Sequence, residues 1–196
     1  ACAAPLFRRV SGHFIRFRVT KTALDEASNS QFTLEPILQA AELLADARPD
    51  VSAWNGTSAS WLGFDSDERL CAAITERTGV PATSAILGLN RLLATLGVRR
   101  LGLVTPYTPD MQAKIIANYA AAGIETVAER HSGRSDNFSF AEVSEAEIAR
   151  MCREVAAARP DAIAIVCTNM RGPLIAPELE QELGIPILDS VAFTLW

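Results

Sequence analysis

Along this chain, short apolar runs alternate with longer stretches in which apolar residues recur every three or four positions. The first kind of pattern predicts strands and the second amphipathic helices. His13 to Val19 alternates apolar with polar and predicts a strand. Thr33 to Ala47 carries Leu34, Ile37, Leu38, Ala41, Leu44 and Ala45 at helical spacing, with Thr33 as a cap and Pro49 as a stop. Val51 to Trp54 predicts a second strand, running into Asn55-Gly56-Thr57-Ser58. Asp65 to Thr78 predicts a helix closed by Gly79 and Pro81. Pro81 to Ile86 predicts a short strand, and Leu87 to Leu96 a helix ending at Gly97.

The pattern then restarts. Arg100 to Pro106 predicts a strand, Pro109 to Ala122 a helix, and Ile124 to Arg130 another strand. Residues 132–140 form a polar stretch in which Phe138 and Phe140 look exposed. Ser144 to Arg159 predicts a helix opened by the capping box Ser144-Glu-Ala-Glu147. The strand Asp161 to Val166, a helix from Pro177 to Leu183 and a last strand from Ile185 to Leu188 follow. Such alternation implies an α/β fold of parallel sheets flanked by helices. Two rounds of it predict two similar lobes with the active site in the cleft between them. Residues 1–96 would form the first, joined by residues 190–196, and residues 97–189 the second.

Composition narrows the function. Of 196 residues, 49% are hydrophobic and 21% charged, an ordinary balance for a soluble domain that reads as cytoplasmic. A formal charge of −5, with Lys and Arg scattered, supplies no basic field for nucleic acid. No apolar run is long enough to span a membrane. Cys2, Cys71, Cys152 and Cys167 show no metal-type spacing with His13 or His131, which argues against disulfides and structural zinc.

Candidate chemistry gathers at strand ends. The wholly apolar run to Val166 reads as a strand buried on both faces, and it ends on Cys167-Thr168-Asn169-Met170-Arg171. Ligands in open α/β sheets bind beyond the carboxyl ends of strands, so a thiol there is a candidate nucleophile or acid. A structural reading stands beside it: a small buried hydrophobe closing a strand. Gly56-Thr57-Ser58 follows a strand in the first half and Thr105-Pro106-Tyr107-Thr108 another in the second. Backbone N–H groups and hydroxyls in such loops make an anion site, and an anion cradle beside a thiol suits an enediolate. Thr57 and Ser58 as plain caps, with Tyr107 as a half-buried aromatic, is the alternative.

Cys167-Thr-Asn-Met-Arg171 resembles the Cys-Thr-Asn-x-Arg motif of the maleate cis-trans isomerases, and Gly56-Thr57-Ser58 resembles the arylmalonate decarboxylases. Both belong to the aspartate/glutamate racemase superfamily, and the resemblance spans about Val10 to Trp196. It implies a cofactor-free lyase or isomerase acting on a small dicarboxylate. Cys167 then corresponds to the thiol that protonates the enediolate. Thr168 stands where the decarboxylases have a glycine whose N–H joins the oxyanion hole, and Thr57, Ser58 and Tyr107 correspond to its hydroxyl donors. Asn169 and Arg171 match the isomerase motif, and Gly56 lines the substrate side.

Two departures set further expectations. Two-cysteine members carry a second thiol directly before the Thr-Ser pair, where this chain has Gly56, so one-sided protonation after decarboxylation is the leading expectation. Isomerisation, racemisation and non-catalytic carboxylate binding are the alternatives. On this view Gly56→Cys should add racemising activity; a depressed Cys167 pKa would favour an enzyme, and a thiol of ordinary reactivity the non-catalytic binder. The family's first strand and its carboxylate-holding loop have no counterpart before His13, and the closing helix expected after Trp196 is not reached.

Overall fold

A computed structural model describes residues 10–19, Lys21, Thr22, Leu24 and 33–196; Cys2 lies outside them. Helix α1 (Leu34–Ala45) buries Ile37, Leu38 and Ala41, the stripe its spacing predicts; Thr33 precedes it without a side-chain capping bond. Strand β1 (Ser52–Trp54) leads into the short helix α2 (Ala59–Leu62). Helix α3 (Asp65–Thr78) has three acidic residues in its first turn, favourable at the positive end of the helix dipole, and Gly79 in the left-handed conformation at its end. Strand β2 (Ala82–Ser84) and helix α4 (Ala85–Leu96) complete the first half, with the Ser84 hydroxyl accepting from the Leu87 N–H.

The second half runs β3 (Arg100–Thr105), α5 (Pro109–Ala121), β4 (Glu125–His131), a 3-10 turn Ser139–Glu142 and α6 (Glu145–Ala156). It continues through β5 (Ala162–Ile165), α7 (Gly172–Leu183), β6 (Ile187–Asp189) and α8 (Ser190–Leu195). Ser144 caps α6 by accepting from the Glu147 N–H, the first half of the capping box read from sequence.

All the strand pairs are parallel. β1 pairs with β2, and the other four lie in the order β4-β3-β5-β6. Every residue of β5 is buried, as its unbroken apolar run requires of a strand covered on both faces. The main core packs β3 and β5 against Met111, Ile115 and Tyr119 of α5 and Ile148, Cys152 and Val155 of α6. Ile86, Leu89 and Leu93 of α4 and Phe193 of α8 join the same cluster. The last helix therefore packs on α4: a Cβ at Gly88 would meet the Phe193 carbonyl oxygen at 2.7 Å. A smaller core joins Ile37, Leu38 and Ala41 to Leu70 and Ile74 of α3, with Phe17 and Trp54 at its margin.

The structure departs from the sequence pattern at several places. The strand read over Pro81 to Ile86 ends at Ser84, with Ala85 and Ile86 opening α4. Ala59–Leu62 and Ser190–Leu195 are helices that the pattern does not predict. Residues 13–19 form no strand; Phe17 and Val19 are half-buried and the rest are exposed. The alternation there is used by side-chain packing instead, with the Phe17 ring 5.3 Å from that of Trp54. Phe138 is exposed but Phe140 is buried. Helix α7 begins at Gly172, five residues before Pro177, which lies inside it. Pro173 is the proline that opens the helix, a position where its missing N–H costs no bond.

Candidate active site

Three strand ends converge on one cavity of about 430 Å³. β1 sends in Asn55, Gly56, Thr57 and Ser58, β3 sends in Tyr107, and β5 sends in Cys167, Thr168 and Asn169. These are the carboxyl ends of parallel strands, where α/β sheets bind ligands. Every site residue read from the sequence thus lines the same space, apart from Arg171, which is exposed and precedes α7.

Tyr107 is the junction. Its hydroxyl lies 2.8 Å from the Thr57 hydroxyl and is close enough to the Cys167 thiol to pull that thiol's pKa down. The ring is held edge-on between Trp61, at 5.3 Å, and Phe140, at 5.4 Å. Its backbone N–H donates to the Thr105 hydroxyl, which donates to Gln112, and Gln112 donates to Glu129. Tyr107 is therefore fully buried and fixed. Burial first, and then the neighbouring Cys167, lifts its pKa well above the usual tyrosine range, so it stays a neutral donor.

Cys167 is buried at the end of β5. Its backbone N–H donates to the Ser190 hydroxyl at 2.8 Å, and that hydroxyl donates to the Ile165 carbonyl at 2.8 Å. Burial pushes the thiol up to about 11, against the pull of the Asn169 and Met170 N–H groups and the Tyr107 hydroxyl. Desolvation outweighs the local N–H dipoles, so the depressed value that would have favoured an enzyme is not found. A thiol held in its protonated form is matched to giving a proton rather than to nucleophilic attack.

Around these lie further donors. Among the described residues, neither the Ser58 hydroxyl nor the Thr168 backbone N–H has a hydrogen-bond partner. Thr57 and Ser58 are buried, but Ser58 makes no side-chain cap to α2, so the plain capping role does not hold. Asn169 donates to the Asn137 carbonyl and side-chain oxygen, both at 3.0 Å, and Asn137 donates to the Val19 carbonyl at 3.0 Å. These contacts tie the Cys167 loop to the segment crossing the cavity. The rest of the lining is mixed: Phe17, Ile37, Ala41, Leu44 and Ile74 form an apolar wall, and His13, Arg16, Thr22 and Ser52 also border the cavity. Among the described residues, no group of three or more His, Cys, Asp or Glu side chains is arranged to hold a metal ion. No helix among them is long and apolar enough to cross a membrane.

A family described as arylmalonate decarboxylase matches residues 8–196. The chain belongs to the arylmalonate decarboxylase family. It is accordingly an enzyme of the lyase or isomerase kind. It is similar to the arylmalonate decarboxylase of Bordetella bronchiseptica, 28% identical over 166 residues, which cover 83% of this chain and 69% of that protein. It is also similar to a maleate isomerase of Geobacillus stearothermophilus, 24% identical over 160 residues, 78% of this chain and 64% of that protein. A crystal structure of arylmalonate decarboxylase superposes with a TM-score of 0.74 at 28% identity, covering 83% of this chain and 73% of the other. Nocardia farcinica maleate cis-trans isomerase shares the fold, with a TM-score of 0.83 at 23% identity over 97% of this chain and 81% of the other.

Within this decarboxylase-family frame, several supporting residues escaped the sequence pattern. Phe140 sits in a polar stretch and gives no periodic signal, although it braces Tyr107. Asp189-Ser190 is a polar pair closing the apolar run Ile187-Leu188, a strand-end signal like that of Cys167. Trp54 is the largest omission. A Cβ placed on Gly56 would lie 2.0 Å from its Cζ2 atom, so any side chain at that position requires the indole to move.

Proposed function

We propose that this chain decarboxylates a small malonate-type dicarboxylate through an enediolate that Cys167 protonates. The observation that supports the reading best is the hydrogen-bonded hydroxyl pair Thr57–Tyr107 beside the protonated Cys167 thiol at one cavity. The retained carboxylate accepts hydrogen bonds from Thr57, Ser58, Tyr107 and the Thr168 N–H. These donors gain strength as charge builds on the enediolate oxygens, which is where stabilisation lowers the barrier. The departing carboxylate lies against the apolar wall, where its charge is poorly solvated and loss of CO2 relieves the cost. The C–C bond breaks, its electron pair enters the enediolate, and the Cys167 proton closes the α-carbon. The resulting thiolate regains a proton from solvent.

A second reading is cis-trans isomerisation of a small unsaturated dicarboxylate. The Cys167-Thr-Asn-Met-Arg171 sequence and the similarity to a maleate isomerase favour it. Decarboxylation leads because only one thiol, Cys167, lines the cavity among the described residues. A panel of 2-substituted malonates and maleate, followed separately for CO2 and for fumarate, tests the two. CO2 release from a malonate supports the first; fumarate from maleate without CO2 release transfers the assignment to the second.

A further inference from the structure

Gly56 occupies the position where two-cysteine relatives carry their second thiol, and what fills that space here is Trp54. A Cβ at Gly56 would meet Trp54 Cζ2 at 2.0 Å, Cε2 at 2.3 Å and Cη2 at 2.7 Å. All three atoms belong to the benzo edge and ring fusion of a rigid indole, so no end of a flexible chain can yield to it. The indole is also stacked against Phe17, with centroids 5.3 Å apart and planes inclined by 34°. Gly56 is buried, and it lines the same cavity as Trp54, Thr57 and Cys167.

We infer that Trp54 is a specificity-determining residue: its indole takes the place of the second thiol beside Thr57 and restricts proton transfer to the single acid Cys167. Gly56 is then glycine because the indole needs its surface, not because the site merely lost a cysteine. The indole carbons that face Gly56 carry no acidic proton at that wall. An enediolate formed in the cavity is therefore closed from the Cys167 side alone, and the chiral product is not reopened from the other. The catalytic half of this statement rests on the decarboxylase reading; the packing half does not.

Two measurements separate those halves. The first is a melting cycle of wild type, Gly56→Ala, Trp54→Leu and the double variant, with Trp54→Ala as a second background. Gly56→Ala should lower the melting temperature by roughly 2–12 °C in wild type, the range for overpacking in a chain of this size. In either Trp54 background the same change should lower it by under about 1 °C, because the two sites are coupled. An equal drop in all backgrounds would overturn the inference. The second compares Gly56→Cys with Trp54→Leu/Gly56→Cys on the chiral 2-substituted acid in D2O. In the double variant one thiolate removes the α-proton while the other thiol delivers a deuteron to the opposite face, so the acid should exchange and racemise. Gly56→Cys alone should do neither at a comparable rate, and racemisation as fast as the double variant's would overturn the inference. If wild type releases no CO2 from any malonate, the decarboxylase reading and the catalytic half fail together, and the melting cycle decides the packing half by itself.

Discussion

The hydroxyls of Thr57 and Tyr107, fifty positions apart in sequence, lie 2.8 Å from each other and join the loop after β1 to the loop after β3 beside the Cys167 thiol. Neither loop is an anion site alone. Together they form a hydroxyl pair, one donating to the other and leaving one O–H free. Its geometry is set by the Trp61 and Phe140 rings and by the hydrogen bonds through Thr105 and Gln112.

Tyr107→Phe keeps the ring packing and removes the donor. The expected result is a loss of roughly 10²–10³ in kcat, the size seen when one oxyanion donor is deleted. Melting temperature should change little, since Thr57 can turn to the cavity. A kcat within about threefold of wild type would remove Tyr107 from the donor set.

Cys167 should act as an acid over an unusually wide pH range. With the thiol lifted to about 11, it stays protonated through neutral and mildly alkaline pH. The pH–rate profile of kcat should therefore show no alkaline limb from this group until the pH approaches that value. A limb near the ordinary thiol value, abolished in Cys167→Ser, would show that the thiol titrates freely instead.

Ser190→Ala should act through Cys167 rather than on substrate. It frees the Cys167 N–H and the Ile165 carbonyl, both buried and now bonded to the same hydroxyl. An orphaned buried group costs about 1–3 kcal/mol, so stability should fall by that order. The positioning role predicts a lower kcat at unchanged KM, with rescue by Ser190→Thr. A stability loss with kcat intact would leave Ser190 purely structural.

Two buried carboxyls should make the fold less stable as pH rises. Burial lifts Asp189 from 3.8 to about 7 and Asp67 from 3.8 to about 6, and one oxygen of each has no hydrogen-bond partner among the described residues. Between the unfolded and folded values the native state holds the extra proton. Their favourable contribution is thus fully present below about pH 4 and is lost as pH rises through 6 for Asp67 and 7 for Asp189. A tenfold difference in proton affinity between folded and unfolded chains corresponds to about 1.4 kcal/mol. Asp189→Asn should retain the cap that Oδ1 gives α8 and flatten this slope, raising the melting temperature at pH 8 relative to wild type. An unchanged slope in both Asp189→Asn and Asp67→Asn would refute the linkage.

The elements were legible where local pattern and tertiary demand agree. Asp65 to Thr78 has an acidic start, an apolar stripe and a glycine stop, and it folds with those bounds. The apolar run before Cys167 reads as a doubly covered strand and is one. Residues 13–19 alternate equally well, yet form no strand, because alternation states which faces differ and not whether a partner strand is available. The main site residues were legible because hydroxyl loops and a thiol at strand ends carry their chemistry in the residue type. Phe140, Ser190 and Trp54 were not, since packing an aromatic ring on Tyr107 or on Gly56 leaves no local signature. The thiol's titration was not legible either: the nearby N–H groups are visible in the sequence, and the depth of burial that outweighs them is not.

The central claim is that Cys167 delivers the proton after CO2 is lost, from one side only. The direct measurement is turnover of a prochiral 2-substituted malonate in D2O by wild type and Cys167→Ala, following CO2 release together with the configuration and deuterium content of the product. The account predicts one deuterium at the α-carbon in a single configuration with wild type. With Cys167→Ala it predicts a rate lower by at least about 10², at a melting temperature close to wild type. Near-normal CO2 release and an unchanged product configuration from Cys167→Ala would contradict it.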